Sequence, residues 1–463
     1  MSVPAMSLHG MMADPFAWDE ELLSRYDIHG QHYASYPEPA SFQEDIGEVD
    51  YQKALAKSND SGRPLSLYIH LPFCRKACYY CSRNRVVTKA TRLTEPYLSR
   101  LDREMVLVRS HLDTRREVSQ LHWGGGTPTF FSLNQMSDLI DRLDARFGLS
   151  SARGRDYAID IDPREADVFT LRHLQALGFN RLSLGVQDLD PKVQRAINRV
   201  QPRILTEALL DEADRLGFRS LNLDLIYGLP FQTRDTFSVT LEQVIAMAPA
   251  RLSLLHYDPM SQRASQQRFR HQDLPGPEEK LAILKTSITM LTNAGYVHIG
   301  MGRFARPSDS LVKAQHQGTL RRNIQGYSSH EHCDLVGLGV SAISQLDGLY
   351  TQNHTKLSAY EAALDASRLP TARGLRHTFD DRVRHHAIER LLCDMQLDLN
   401  QLEENFGIDA QRYLADALAR LETLARDGLL TWHGRRLVAT PIGRLLIHHL
   451  AMAFDAHPPQ RPT

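Results

Sequence analysis

The sequence predicts an α/β fold: a partial or open (β/α) barrel with an N-terminal arm and a mostly helical, winged-helix-like C-terminal domain. Three observations lead there. Between residues 65 and about 305, short apolar runs alternate with longer segments whose apolar residues recur every three or four positions. The residues richest in chemistry sit at the C-terminal ends of those runs, the face on which β/α barrels build active sites. Beyond residue 375 the pattern changes to consecutive helical stretches followed by a hairpin signal.

The strand candidates are "LSLYIHLPF", "SQLHWGGG", "DYAIDID", "RLSLGVQ", "SLNLDLIYGLP", "RLSLLHYDP" and "YVHIGMGRF". Segments such as "TEPYLSRLDREMVLVRSHL" and "PEEKLAILKTSITMLTNAG" carry the helical period, and "TNAGY" supplies a glycine stop before the last strand. Strands alternating with helices imply right-handed parallel crossovers. Six or seven such units fit an open or complete barrel better than a short flat sheet. The resulting division is an arm over 1–60, rich in turn formers at "HGQHYASYPEPASF", a barrel over 61–310, a barrel extension and substrate-side connection over 311–374, and a helical domain over 375–463. In the last, "DRVRHHAIERLLCDM", "NQLEENFG" and "QRYLADALARLETLARDG" read as three helices, and "LLTWHGRRLVATPIGRLLI" as a hairpin and a further helix. That order also serves as a lid or interaction module, so it does not by itself imply DNA binding.

A formal net charge of −1 gives no overall pull toward nucleic acid or anionic membrane, and neither is expected as a partner. No apolar stretch reaches the roughly 18 residues of a membrane span. The N-terminus lacks a basic start followed by an apolar core, so the expected location is the cytoplasm. Five cysteines, three of them clustered, do not make a disulfide framework.

Those three are Cys74, Cys78 and Cys81, spaced C-x3-C-x2-C in "YIHLPFCRKACYYCSRNR" at the end of the first strand. Three thiolates can hold three irons of a cubane cluster and leave the fourth iron open to an outside ligand. The alternatives are three buried apolar cysteines, or a zinc site with His70 as fourth ligand.

This spacing, with an aromatic residue before the last cysteine, resembles the radical S-adenosylmethionine (radical SAM) superfamily. "YDIHGQHYASYP", "PLSLYIHLPFC", "QLHWGGGTPT", "DIDPRE", "GFNRLSLGVQD", "DLIYGLP", "NIQGY" and "GVSAIS" together resemble, in order, the oxygen-independent coproporphyrinogen III oxidase (dehydrogenase) family. The resemblance implies a barrel of the radical SAM type, a 4Fe-4S cluster on the three cysteines, and two S-adenosylmethionine molecules. The first would touch Tyr68, Gly125, Asp160 and Ile343. The second would touch Tyr80, Gly126, Thr127, Gln187, Arg199, Asp224 and Asp258. His70 would lie near the cluster, and Gln325 near the substrate or second cofactor. The implied reaction removes a hydrogen from two propionate side chains of coproporphyrinogen III, which lose carbon dioxide and become the vinyl groups of protoporphyrinogen IX. It also implies a tetrapyrrole substrate, a reductant such as flavodoxin or ferredoxin, and a monomer.

Three differences from the family pattern stand out. Arg83 stands where a fourth cysteine is usual, two residues after the third. Asp160 replaces a glutamate, which shortens its reach by about 1.5 Å. Gly302 and Arg303 stand where the family tends to show Asp and His, and Ile324 replaces an aromatic residue. These leave open a paralogue acting on another tetrapyrrole, or a haem chaperone without turnover.

Overall fold

The computed structural model describes residues 18–26, 36–257, 269–330 and 333–457. Its centre is an open sheet of twelve strands. In chain order these are β1 (Leu65–Leu71), β2 (Val118–Gly125), β3 (Asp156–Ile161), β4 (Arg181–Gln187), β5 (Ser220–Tyr227), β6 (Arg251–His256), β7 (Val297–Gly300), β8 (Arg303–Ala305), β9 (Asp334–Leu338), β10 (Ile343–Leu346), β11 (Leu349–Asn353) and β12 (Thr371–Arg376). Their spatial order is β12-β11-β10-β9-β1-β2-β3-β4-β5-β6-β8-β7. β1 to β6 run parallel, each preceded by a helical crossover except the first.

The expected alternation of strands and helices is present, and the barrel is the open one. The seventh run does not add a parallel strand as expected. "YVHIGMGRF" folds back on itself as the antiparallel pair β7 and β8. The cause is local: Gly300, Met301 and Gly302 all have positive φ (138°, 49° and 70°), a reversal that glycines make possible. Residues 334–376, read only as a connection, supply four more strands. β9 pairs parallel with β1, and β10 to β12 follow it antiparallel.

Parallel strands packed on both faces usually read as continuous apolar runs. Here one face departs from that. Leu65, Leu67, Ile69 and Leu71 of β1 are buried against the helical layer, while Tyr68 and His70 point the other way. β5 repeats the pattern, with Leu221, Leu223 and Leu225 outward and Asn222 and Asp224 toward the lumen. The helical layer is cut to fit. The Leu133–Phe147 helix starts at a Ser132/Gln135 capping box and buries Met136, Leu139, Ile140, Leu143 and Phe147 on one stripe. An apolar core outside and a polar lumen inside is the arrangement of a binding barrel.

The C-terminal region has its own core, which also takes in Leu22, Leu23 and Tyr36 from the N-terminal segment. Its helices Phe379–Asp394, Leu399–Phe406 and Ala415–Arg426 and its hairpin Leu430–His433/Arg436–Ala439 follow the expected order, and Gln396–Asp398 adds a third strand. Of "HGQHYASYP", residues 29–35 lie outside the described residues. The helix Glu48–Ser58 packs Tyr51, Ala54 and Leu55 on the main core, with the Tyr51 hydroxyl 2.9 Å from Ser344 Oγ. Among the described residues no helix is long and apolar enough to cross a membrane.

Candidate active site

The cysteine loop leaves the sheet at the C-terminal end of β1. Phe73–Cys74 pairs with Val86–Val87, closing the loop at its base. Arg85 then ties the interior, donating from Nη1 to the Cys81 carbonyl (2.6 Å) and from Nη2 to that of Cys78 (3.0 Å). Asn198 Nδ2 donates to the Ala77 carbonyl (2.7 Å), and Arg75 pairs with Glu165 at 2.8 Å. A segment with little regular structure is thereby held over the sheet end.

Cys74 and Cys78 are buried and Cys81 is partly exposed; all are free thiols. Two guanidiniums reach Cys78 Sγ: Arg164 Nη2 at 3.3 Å and Arg199 Nη1 at 3.6 Å. Both are also held by Asp162, Arg164 at 2.7 Å and Arg199 at 2.9 Å. Burial raises the Asp162 carboxyl, but Arg199 and Arg164 outweigh it and bring the pKa to about 2. Burial pushes the Cys74 thiol up to about 12, with only Arg85 among its neighbours pulling the other way. Thiolates at such a place need cations of their own, and the irons of a cluster would supply them. The three sulfurs and two sulfur-directed guanidiniums fit an iron–sulfur cluster.

The zinc alternative fails on His70. Its Nε2 donates to the Asn84 carbonyl (2.9 Å), since a carbonyl can only accept, and Nδ1 accepts from the Tyr68 hydroxyl (3.2 Å). Neither nitrogen is left for a metal. His70 instead braces the loop from below.

The other expected residues fall in groups. Tyr68, Gly124 and Asp160 meet: a Cβ at Gly124 would lie 3.1 Å from both the Tyr68 ring and Asp160 Oδ2. Ile343 stands level with Tyr68, two strands away through Gly337. The glycines of "GGGTPT" serve the protein's own packing. A Cβ on Gly125 would strike the His70 ring at 2.9 Å, and one on Gly126 the Pro72 carbonyl oxygen at 2.4 Å. The Thr127 amide donates to the Phe73 carbonyl, beneath Cys74. Tyr80, Gln187 and Arg199 form a second group. Tyr80 packs with Val193, Ile197, Ile226, Leu229 and Tyr257. Gln187 Nε2 and Arg199 Nη2 both crowd Gly185. Gln187 has φ of 68°, which strains a residue with a side chain. Gln187 Oε1 and Arg199 Nε are buried and make no hydrogen bond among the described residues, a state that invites a ligand.

Asp224 stands apart, further along the sheet. It accepts from Ser183 Oγ (3.0 Å) and Asn222 Nδ2 (2.9 Å). Gln325 tops the turn of the hairpin Arg321–Asn323/Gly326–Ser328, its Nε2 buried and without a partner among the described residues. Asp258 lies outside the described residues.

Sequence reasoning missed four participants: Asp162, Arg164, His122 and Arg85. Two carried a signal. Asp162 is two residues from Asp160 and so shares its side of the chain, and His122 pairs with Tyr68 across β1 and β2. His122 Nε2 is 3.1 Å from Asp160 Oδ1. The departures from the family pattern also touch. Arg83 Nη1 pairs with Asp160 Oδ2 at 2.5 Å. Burial raises the Asp160 carboxyl, yet Arg83 and His122 hold it well below the usual carboxylate range.

Residues 68–244 match the radical SAM superfamily, and residues 378–446 the HemN C-terminal domain. Proteins of that superfamily hold a 4Fe-4S cluster and S-adenosylmethionine. The chain is 47% identical over 449 residues to the oxygen-independent coproporphyrinogen III oxidase of Pseudomonas aeruginosa, covering 97% of this chain and 98% of that one. It is 42% identical over 448 residues to the Escherichia coli enzyme of the same name, covering 96% and 97%. The solved structure of coproporphyrinogen III oxidase (HemN) from Escherichia coli, a radical SAM enzyme, superposes with a TM-score of 0.91 at 41% identity, over 96% of this chain and 100% of that one. With such relatives matching over nearly its whole length, the chain belongs to the oxygen-independent coproporphyrinogen III oxidase family of radical SAM proteins.

Proposed function

We propose that the chain catalyses the oxygen-independent oxidative decarboxylation of coproporphyrinogen III to protoporphyrinogen IX, in haem biosynthesis. The observation that carries this is the cysteine loop held over a polar lumen, with guanidiniums on Cys78 Sγ. When bound, the cluster and S-adenosylmethionine supply a carbon-centred radical able to take a hydrogen atom from a propionate β-carbon. Each propionate then gives up carbon dioxide and one electron to an acceptor, leaving a vinyl group.

The protein's part is placement. Cys74, Cys78 and Cys81 would hold the cluster. Arg164 and Arg199, both anchored on Asp162, temper the charge on Cys78. Tyr68, Gly125, Asp160 and Ile343 border the first S-adenosylmethionine. Tyr80, Gly126, Thr127, Gln187, Arg199 and Asp224 border a second, and the unpartnered Gln187 and Arg199 atoms favour a ligand there. His70 fixes the loop, and Gln325 offers its free amide N–H groups to the substrate side. A reductant such as flavodoxin or ferredoxin delivers electrons to a cytoplasmic monomer.

The test is anaerobic turnover of the reconstituted protein with S-adenosylmethionine and dithionite. Release of 5′-deoxyadenosine together with protoporphyrinogen IX is expected. A second reading, a paralogue for another tetrapyrrole, draws on the Arg83–Asp160 pair, absent from the family pattern. It would be favoured by 5′-deoxyadenosine release with coproporphyrinogen III left intact.

A further inference from the structure

We propose that Arg83 and Arg303 form a carboxylate-binding pair on the lumen wall, each held in place by an aspartate, that takes propionate groups of the tetrapyrrole substrate. The inference rests on the function proposed above and assigns the recognition of its substrate's charges.

The geometry starts with Arg303. Gly302 has φ of 70°, and a Cβ there would lie 2.2 Å from the Leu254 carbonyl oxygen. Only glycine fits this reversal, and the reversal is what sets Arg303 opposite Ser253 on β6. The Arg303 guanidinium donates to Ser253 Oγ, and its Nη1 stands 3.6 Å from Asp224 Oδ1. Ser253 donates in turn to Asn222 Oδ1 (3.1 Å), so the guanidinium is seated on a hydrogen-bonded row across β4, β5 and β6. Two strands along the same wall, on β3, Arg83 descends from the cysteine loop onto Asp160, whose neighbour on β4, Ser183, donates to Asp224 (3.0 Å). Each arginine has five N–H donors, and its aspartate contact uses one nitrogen. The remaining donors are left to an incoming anion. Arg303 is one-third exposed and Arg83 about half exposed, at 33% and 53% of the side chain, so both can be reached. Burial also lowers the pKa of the Arg303 guanidinium, and Arg322 and Arg83 repel it, against the pull of Asp224. An arriving carboxylate relieves that repulsion. An aspartate-braced guanidinium loses little freedom on binding, which favours a planar carboxylate over a less directional anion.

The probe is coproporphyrin III, a tetracarboxylate, titrated by fluorescence quenching into full-length reconstituted protein under anaerobic conditions. Arg83→Gln and Arg303→Gln are each expected to raise its Kd about tenfold. Arg83→Lys and Arg303→Lys should recover part of the loss, because the charge returns without the fork. The S-adenosylmethionine Kd, read by equilibrium dialysis, should move less than the coproporphyrin III Kd in each variant. If Arg303→Gln does not fold, Arg303→Lys, which keeps a positive charge beside Asp224 but not the planar fork, makes the comparison, with a smaller but measurable rise in the coproporphyrin III Kd expected. An unchanged coproporphyrin III Kd overturns the proposal. So does a weakened S-adenosylmethionine Kd with porphyrin binding intact, since the guanidiniums would then serve the methionine carboxylate. Wild-type turnover with unaffected variant binding refutes the pair alone. Wild-type protein that neither binds coproporphyrin III nor converts coproporphyrinogen III refutes the function as well.

Discussion

A methyl group at Gly126 would lie 2.4 Å from the carbonyl oxygen of Pro72 and 2.6 Å from that of Phe73, the residue before Cys74. Backbone atoms cannot step aside as a side chain can. Gly126→Ala should therefore cost about 2 kcal/mol of stability. It should also lower iron content after reconstitution, because the Cys74 strand must shift. Denaturant unfolding and iron analysis on one preparation check both. Cys78→Ala should separate the two effects. It removes a ligand while Arg164 and Arg199 keep Asp162, so stability should fall by about 1 kcal/mol and cluster binding should be lost. Unfolding of that variant would mean that the loop carries the barrel. At this scale the cysteines stand out in the sequence because metal chemistry demands a spacing along the chain. Arg164 and Arg85 do not, because their work is to neutralise charge brought together by folding. His70 was singled out from its place beside the cysteine loop; that both its ring nitrogens are spent on hydrogen bonds is something only three-dimensional placement reveals.

Among elements, the six parallel strands were legible from their apolar runs, and the four beyond residue 334 were not. "DLVGLGVSAISQLDGLY" mixes short apolar pairs with glycines, and it forms strands because β1 offers it an edge. The loop between β9 and β10 is fixed from beneath by a buried carboxylate, Glu104, on the Thr94–Arg109 helix. Glu104 accepts from the Gly339 amide (2.8 Å), the Tyr360 hydroxyl (2.7 Å) and Asn353 Nδ2 (2.6 Å). Tyr97, from the same helix, donates to the His70 carbonyl at 2.6 Å. Burial raises the Glu104 carboxyl to about 7 despite those three donors. The folded state therefore keeps a proton that the unfolded chain releases near 4.5. Stability from this group is present in full below the unfolded value and is lost as pH rises through about 7. The loss amounts to at most about 3 kcal/mol. Urea unfolding of cluster-free protein between pH 5 and 7.5 should show it for the wild type. Glu104→Gln, which has nothing to titrate, should lack that part of the slope. Parallel pH profiles for the two proteins would assign the buried charge elsewhere.

Across the whole molecule, an open sheet leaves two edges, and the helix Phe379–Asp394 bridges them. It starts just after β12, and at its far end Leu392 accepts at its carbonyl from the Tyr327 hydroxyl (2.8 Å), where a Cβ on Gly300 of β7 would lie 2.6 Å from that hydroxyl. The Cys393 carbonyl accepts from Gln315 Nε2 at 2.7 Å. The C-terminal unit thus closes the side of the barrel that the strands leave open. Its helix order was legible, but its job was not, since the sequence carries no sign of which edges a helix will span. The N-terminal segment completes the clasp. Leu23 is fully buried in the C-terminal core, and Trp18 packs against both that core and the barrel core, with Lys285 over its ring at 5.8 Å. Leu23→Ala should remove about 3 kcal/mol, the usual loss for a leucine cavity that cannot collapse. Because Leu23 belongs to one core and not the other, the damage should be local. Hydrogen exchange should accelerate in residues 379–454 while β1 to β6 keep their protection. Exchange rising equally in both cores would show that the barrel and its closing unit unfold together, and the arm would then be a fastening for the entire fold.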